Sequence, residues 1–183
     1  MNTKKTHVIE LCQIAMFAAV ISACALISIP MPYGVPLTLQ TFGVQLAGVV
    51  LGARKGALAV IIYILLGAVG LPVFANMTGG IGIIFGRTGG FILSFPLMAL
   101  AAGVGASLKK YNYLWLTLWL IIGAVINYIC GVLMFSFVTG NGLIASVGFV
   151  VLPFLPTAAL KVVLVVIAGK PIRTALYKIG VLP

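Results

Sequence analysis

The sequence predicts an all-α membrane protein of six transmembrane helices. Three observations carry that prediction: a large apolar excess, apolar runs without strand alternation, and basic residues gathered at the ends of those runs. Of 183 residues, 63% are hydrophobic and 7% charged, against roughly 25% charged in an average soluble domain. Lipid is therefore the solvent, and a backbone in lipid must satisfy its own hydrogen bonds. The runs are too continuous for the inward and outward alternation of a membrane barrel, which leaves helices.

Punctuation by Pro, Gly and charge divides the chain into apolar segments at about 8 to 29, 39 to 53, 57 to 70, 89 to 107, 112 to 138 and 150 to 169. The first begins after Lys4 and Lys5 with no small-residue cleavage site, so it reads as a spanning helix rather than a signal peptide. The second and third fall short of the roughly 20 residues that a perpendicular crossing requires, which leaves room for a cavity. The tail from 171 to 182 carries Arg173 and Lys178 on a partly apolar stretch and reads as a short interfacial helix. The whole of 1–183 forms one integral-membrane domain.

Lys4 and Lys5, Arg54 and Lys55, Lys109 and Lys110, and Lys170, Arg173 and Lys178 fall at alternate segment ends, hence on one face. By the positive-inside rule that face is cytoplasmic, with both termini inside and the protein in the inner or plasma membrane. A six-segment count is the one that keeps every basic cluster together. The outer segments 30 to 38, 71 to 88 and 139 to 149 hold a single charge, Arg87, and the middle one is a glycine-rich loop between helices three and four.

The composition excludes several classes of function. Eleven Lys plus Arg against one acid would suit nucleic acid, but those charges lie at segment ends and not on a polar face. Cys12, Cys24 and Cys130 lie in apolar runs without CxxC spacing or histidine neighbours, so they read as small apolar filler. With one Glu, no Asp and one His, the chain lacks paired carboxylates, a metal cluster or a nucleophile beside a base, and the reading is not an enzyme. The one Gly-Lys pair, Gly169-Lys170, has Leu164 where a phosphate loop needs its first glycine, so ATP is not hydrolysed here.

Lys161 is the most informative residue. It lies inside the sixth run, at TAALKVVLVVIAG, where a lysine costs about 2.5 to 3.5 kcal/mol on insertion scales. Its natural partner, a carboxylate, is missing, so carbonyl dipoles or a bound anion must take that role. Arg87 is the other cation away from the cytoplasmic face, in Asn76-Met-Thr-Gly79-Gly80-Ile-Gly-Ile-Ile-Phe-Gly-Arg87; it serves either as a headgroup anchor or as a carboxylate clamp. Gln40, Asn76 and Asn127 offer amides suited to a ligand with an N–H and C=O edge, and Asn127 is equally suited to interhelical bonding. Tyr128 adjoins Asn127. Tyr33, Phe42, Tyr63, Phe74 and Phe91 are candidates to wall an apolar ring. In the first run Ala15, Ala19 and Ala23 recur every four residues, a smooth face for close packing inside the bundle or against another subunit.

Taken together, Val35-Pro-Leu-Thr-Leu-Gln40, Gly67-Ala-Val-Gly-Leu-Pro-Val-Phe-Ala75, Gly86-Arg-Thr-Gly-Gly-Phe91 and Pro153-Phe-Leu-Pro-Thr-Ala-Ala-Leu-Lys161 resemble the biotin-specific substrate-capture (S) subunit of energy-coupling factor (ECF) transporters, over 15 to about 170. The resemblance implies a six-helix protein that binds biotin from outside and assembles with a transmembrane coupling (T) component and two ATPases. It implies no cofactor of its own, ATP being used only by the partners. It also implies that the Ala15-Ala19-Ala23 stripe docks the coupling component, and Tyr128 fits the family's fifth-helix pattern. With biotin as the ligand, residue chemistry places Lys161 at the valerate carboxylate and Gln40, Asn76 and Asn127 at the ureido edge, with Phe74, Tyr128, Gly79 and Gly80 around them. The family pattern often has Pro where Arg87 stands and an acid where Ala158 stands, so Arg87 is assigned to the ligand from its chemistry alone. Capture of another anionic vitamin, a stand-alone facilitator and a membrane scaffold are the competing readings.

Overall fold

The computed structural model describes residues 3–107 and 112–178 and is almost entirely helical. Helix α1 (Thr3–Leu26) leads into a two-stranded antiparallel ribbon, β1 (Ser28–Ile29) and β2 (Leu37–Thr38), paired Ser28 with Thr38 and Ile29 with Leu37. Pro30, Pro32 and Pro36 cannot donate to a helical ladder, so the chain leaves α1 as a hairpin at this point. Then come α2 (Gln40–Leu51), α3 (Ala53–Ala68), the one-turn α4 (Ile81–Ile84), α5 (Gly89–Gly105), α6 (Tyr113–Thr139), α7 (Leu143–Val150) and α8 (Leu155–Lys178).

Among the described residues three stretches are long and apolar enough to cross a membrane, His7–Leu26, Tyr113–Thr139 and Leu143–Lys178, and the chain is a multi-pass membrane protein. Helices α2, α3 and α5 have only 12, 16 and 17 residues. They pack as the bundle's centre, with Val44, Ala47, Ala59, Val60 and Ala99 all at 0% exposure. A single glycine, Gly52 at φ +85°, turns α2 directly into α3, a conformation that L side chains resist. Small residues let these backbones meet: a Cβ on Gly48 would stand 2.2 Å from the Ala99 carbonyl of α5, and one on Gly103 would stand 2.2 Å from the Ala53 nitrogen of α3. Helix α6 is capped at its start by Asn112, whose Oδ1 accepts from Leu114 N at 3.0 Å and Trp115 N at 3.3 Å, and stopped by left-handed Gly140.

Two elements differ from the sequence expectation. The outer segment 139 to 149 holds helix α7, followed by a turn at Leu152–Phe154 around Pro153, so that α8 starts at Leu155 and not at 150. A separate interfacial helix at 171 to 182 does not form over the described residues: α8 runs straight through Pro171 to Lys178, and 179 to 182 lie outside them, as do Lys109 and Lys110. The continuation has a cause in Arg173. Its Nη1 donates to Ala106 O at 2.7 Å and Val49 O at 3.3 Å. These carbonyls lie at the C-terminal ends of α5 and α2, where helical partners run out and the dipole is negative. Beside this clamp sits an apolar plug of Val49, Ala102, Leu116, Leu120 and Val165.

The only acid, Glu10, is committed to the same end of the molecule: its carboxylate pairs with Lys55 Nζ at 2.8 Å, tying α1 to α3. Removing the guanidinium in Arg173→Met is expected to cost about 1–3 kcal/mol of stability, because two buried helix-end carbonyls lose a charged donor. Unfolding in mild detergent would measure it, and Arg173→Lys should recover only part of the loss, since a shorter, more strongly hydrated ammonium reaches the two carbonyls less well than Nη1 does.

Candidate functional site

Between α2, α5, α6 and α8, roofed by residues 34–36 and 74–78, lies a cavity of about 230 Å³. Its wall mixes aromatic and aliphatic surface with a few polar groups, the usual make-up of a small-molecule site. Gln40 from α2, Phe74 and Asn76 from the loop after α3, Asn127 and Tyr128 from α6 and Lys161 from α8 all line it. These six of the sequence-derived candidates come from four separate parts of the chain.

Lys161 is 8% exposed and stands on the face of α8 turned toward α2 and the cavity. No acceptor among the described residues lies within hydrogen-bond or ion-pair distance of its ammonium. Ala158, one turn earlier on the same wall, supplies no charge. A buried cation of this kind is costly until an anion or dipole meets it. Glu10 does not serve, being held at Lys55.

The amides are held by the protein in fixed orientations. Asn127 is 3% exposed, and its Nδ2 donates to Phe91 O and Ser94 Oγ of α5, both at 2.8 Å. This interhelical bond leaves Oδ1 as the unpaired end, so the packing role and a place on the cavity wall coincide in one side chain. Gln40 is fixed from both sides: its backbone N donates to Thr38 Oγ1 at 3.2 Å and its Nε2 donates to Tyr63 Oη. Asn76 adopts a left-handed backbone (φ 56°), held by Ser28, whose Oγ donates to Asn76 Oδ1 at 2.8 Å and accepts from Asn76 N at 3.2 Å.

Of the five aromatic residues proposed as walls, Phe74 and Phe91 line the cavity and the others do not. Tyr63 is fully buried behind Phe74, its ring edge-on with centroids 5.5 Å apart. Tyr33 stacks on Phe149 of α7 at 4.0 Å, and Phe42 packs into the core. Both wall phenylalanines rest on glycine seats in neighbouring helices. A Cβ on Gly67 of α3 would lie 2.1 Å from Phe74 Cζ, and one on Gly131 of α6 would lie 2.2 Å from Phe91 Cε1.

Three candidates stand off the wall. Arg87 is exposed at the rim, its guanidinium against Gly34, where a Cβ would come within 3.3 Å of Nη1. Gly79 packs on Leu71 O, and the Gly80 nitrogen donates to Gly67 O at 2.7 Å, so this pair folds the loop and does not face the cavity. Sequence reasoning passed over Thr38, Gln45 and Phe154, which do line it. Gln45 is 1% exposed and its Nε2 donates to Leu120 O at 3.0 Å. Its spacing of five from Gln40, inside an apolar run, was the available signal. Among the described residues no group of three or more His, Cys, Asp or Glu side chains gathers to hold a metal ion. Ala15, Ala19 and Ala23 are exposed along α1 while Ala18 and Ala25 are buried, so the stripe faces out of the bundle.

An apolar helical bundle enclosing a cavity walled by aromatics, fixed amides and one buried cation defines a membrane-embedded small-molecule-binding protein. The family model described as the BioY family matches residues 1–178, and the chain belongs to that family. It is 43% identical over 155 residues to "Biotin transporter BioY" of Thermotoga maritima, covering 84% of this chain and 89% of that protein. It is 38% identical over 164 residues to "Probable biotin transporter BioY" of Pyrococcus horikoshii, covering 90% and 96%. The solved S-component for biotin from an ECF-type ABC transporter is 24% identical and superposes with a TM-score of 0.84 over 95% of each chain, so the two share a fold. The family is the one that the four sequence motifs resemble.

Adding a methyl at a glycine seat should push an aromatic wall into the cavity. Gly67→Ala and Gly131→Ala are each expected to destabilise the protein by about 1–3 kcal/mol through overpacking. Gly82→Ala, where a Cβ meets nothing within 4 Å, should stay within about 0.5 kcal/mol. Thermal unfolding of the three variants side by side measures the difference.

Proposed function

We propose that this chain is the biotin-capturing S component of an ECF-type vitamin transporter. The observation that carries the reading is the unpaired Lys161 ammonium lining a cavity of a chain whose relatives are named biotin transporters. Biotin offers the complementary set of groups: a carboxylate for the cation, a ureido edge for amides and an apolar bicycle for aromatic walls. In this reading Lys161 meets the valerate carboxylate, and Gln40, Asn76 and Asn127 meet the ureido edge. Phe74 and Phe91 flank the ring system, and Tyr128 closes the side. A carboxylate desolvated against a fixed cation is held more strongly than the same pair in water. Arg87, exposed at the rim, draws the anion toward the opening, and Gly79 and Gly80 give the covering loop its fold.

The same reading takes six crossings with both termini cytoplasmic, in the cell membrane. The roof at 34–36 and 74–78 faces outward, so biotin is captured from outside. The chain does no chemistry and needs no cofactor; ATP is consumed by two ATPase partners. The exposed Ala15-Ala19-Ala23 face meets the transmembrane coupling component, whose movement reorients this subunit for release inward. Exposure of that stripe supports docking over internal packing.

Calorimetric titration with biotin tests the reading: nanomolar-to-micromolar binding that Lys161→Met weakens by about 2 kcal/mol or more is the expected result. Tighter binding of a different anionic vitamin in the same titration would reassign the cargo, and unchanged affinity in Lys161→Met would remove the role given to the cation. Ala19→Trp is expected to abolish uptake in cells while leaving biotin binding by the purified chain within about twofold, as a blocked docking face requires. Uptake that survives deletion of the ATPases would instead favour a stand-alone facilitator.

A further inference from the structure

Asn127 reaches from α6 to α5 and lines the cavity at 3% exposure. A side-chain amide is ambiguous as a recognition group, because turning it over exchanges two N–H donors for a carbonyl acceptor. Here a backbone carbonyl removes the ambiguity. Nδ2 lies 2.8 Å from Phe91 O, which can only accept, and 2.8 Å from Ser94 Oγ. The Ser94 hydroxyl donates its single hydrogen to the same Phe91 O at 3.0 Å, so toward Asn127 it too can only accept. Both Nδ2 hydrogens are thereby used. Turned over, the amide would set Oδ1 2.8 Å from Phe91 O, two acceptors with no hydrogen between them. Oδ1 has no partner among the described residues and is not sealed from all access, so it opens on the cavity that its residue lines. Ser94, 2% exposed, stands behind the wall and is not part of it.

We infer that the Phe91 carbonyl and Ser94 hold Asn127 as an obligate hydrogen-bond acceptor, so that this part of the cavity selects a ligand bringing an N–H donor. Asn127 is then the specificity-determining contact and Ser94 its positioning residue. The inference rests on the biotin reading above and adds the polarity of one contact: the ureido ring carries two N–H groups and one C=O, and Asn127 takes an N–H while refusing the C=O. A ligand that brought an acceptor to this point would leave two oxygens facing each other away from water.

The experiment compares biotin with its cyclic carbonate isostere, in which oxygen replaces both ureido N–H groups, by titration and competition on the purified full chain. The unmodified chain is expected to prefer biotin strongly. Asn127→Leu should shrink that preference by about tenfold, because biotin loses an acceptor while the isostere loses a repulsion. The variant strands no donor behind the wall, since the Ser94 hydroxyl keeps its bond to Phe91 O. Ser94→Ala leaves Asn127 in place but frees one hydrogen of its amide, and should shrink the preference by about threefold; Ser94→Thr, which restores the hydroxyl, should not. In an Asn127→Leu background Ser94→Ala should change the preference no further, because the group it orients is gone. Equal weakening of both ligands by Asn127→Leu, as packing alone would give, an unchanged preference, or a greater loss for the isostere would overturn the inference while leaving the biotin reading intact. An unchanged preference in Ser94→Ala would overturn the role of Ser94. Failure of the unmodified chain to bind biotin would overturn both readings. Should Asn127→Leu fail to fold, Ser94→Ala decides alone, and an unchanged preference there would sink the whole assignment.

Discussion

A cation buried in a membrane bundle without an acid is the constraint around which this molecule is arranged. The chain has one carboxylate side chain, and the Glu10–Lys55 pair holds it at the far end of α1 from the loops that roof the cavity. Lys161 is left among helices with only neutral neighbours. In a well-packed apolar core such a group would be expelled or neutralised. Here the cavity gives it space, and the side-chain amides of Asn127 and Gln40 give the same space a polar lining. Buried cation and cavity thus require each other: filling the void with apolar side chains would strand the ammonium, and removing the ammonium would leave a void lined with polar atoms for no return.

Keeping a cavity open inside a bundle of short helices needs rigid walls, and the sequence achieves this with its smallest residues. Gly48, Gly52 and Gly103 bring α2, α3 and α5 into backbone contact, so the centre of the bundle has little freedom to collapse inward. Gly67 and Gly131 then receive the rings of Phe74 and Phe91, fixing the aromatic surfaces at the edge of the void rather than within it. At the end of the bundle away from the roof loops, the Val49–Val165 plug and the Arg173 clamp close what the helices leave open. Polar function and close packing are set by the same few positions.

Much of this was legible in the residues. The six apolar runs fall on six of the helices, three of them in stretches long enough to cross a membrane, because apolar continuity survives even where length falls short. Lys161 was legible because a lone lysine in such a run has no cheap explanation, and Gln40 and Asn127 because amides in lipid require partners. What escaped has a common physical origin. Tyr63 looks like any wall aromatic until its position behind Phe74 is known. Arg173 and Pro171 look like the end of a span, since nothing local reveals carbonyls of Val49 and Ala106 within reach. Helix α7 hides in a segment whose glycines, Gly140, Gly142 and Gly148, read as a loop. Arg87 was drawn toward the ligand by its charge, and what no local pattern reveals is that its guanidinium lies against Gly34 on the cavity rim. In each case the deciding contact is long-range, and a pattern read along one strand of sequence carries no information about it.

The division between helices and loops around the cavity also assigns where recognition and access reside. Lys161, Asn127, Gln40 and Gln45 project from helices, and the three amides among them are bonded to the protein before any ligand arrives. Such groups bind with little reorganisation, which favours selectivity for a ligand of matching polarity. The roof is built differently: residues 34–36 and 74–78 are loop, joined to α7 by the Tyr33–Phe149 stack and to α1's hairpin by the Ser28–Asn76 pair. The Ser28–Asn76 bonds are exposed, so the segment around Asn76 parts from the hairpin at lower cost than the helical floor moves, while Phe74 stays seated on Gly67. A ligand reaching the cavity through the roof therefore meets an adaptable surface first and a rigid one last. Discrimination is concentrated at the depth where water has already been left behind and each unmatched donor or acceptor costs most.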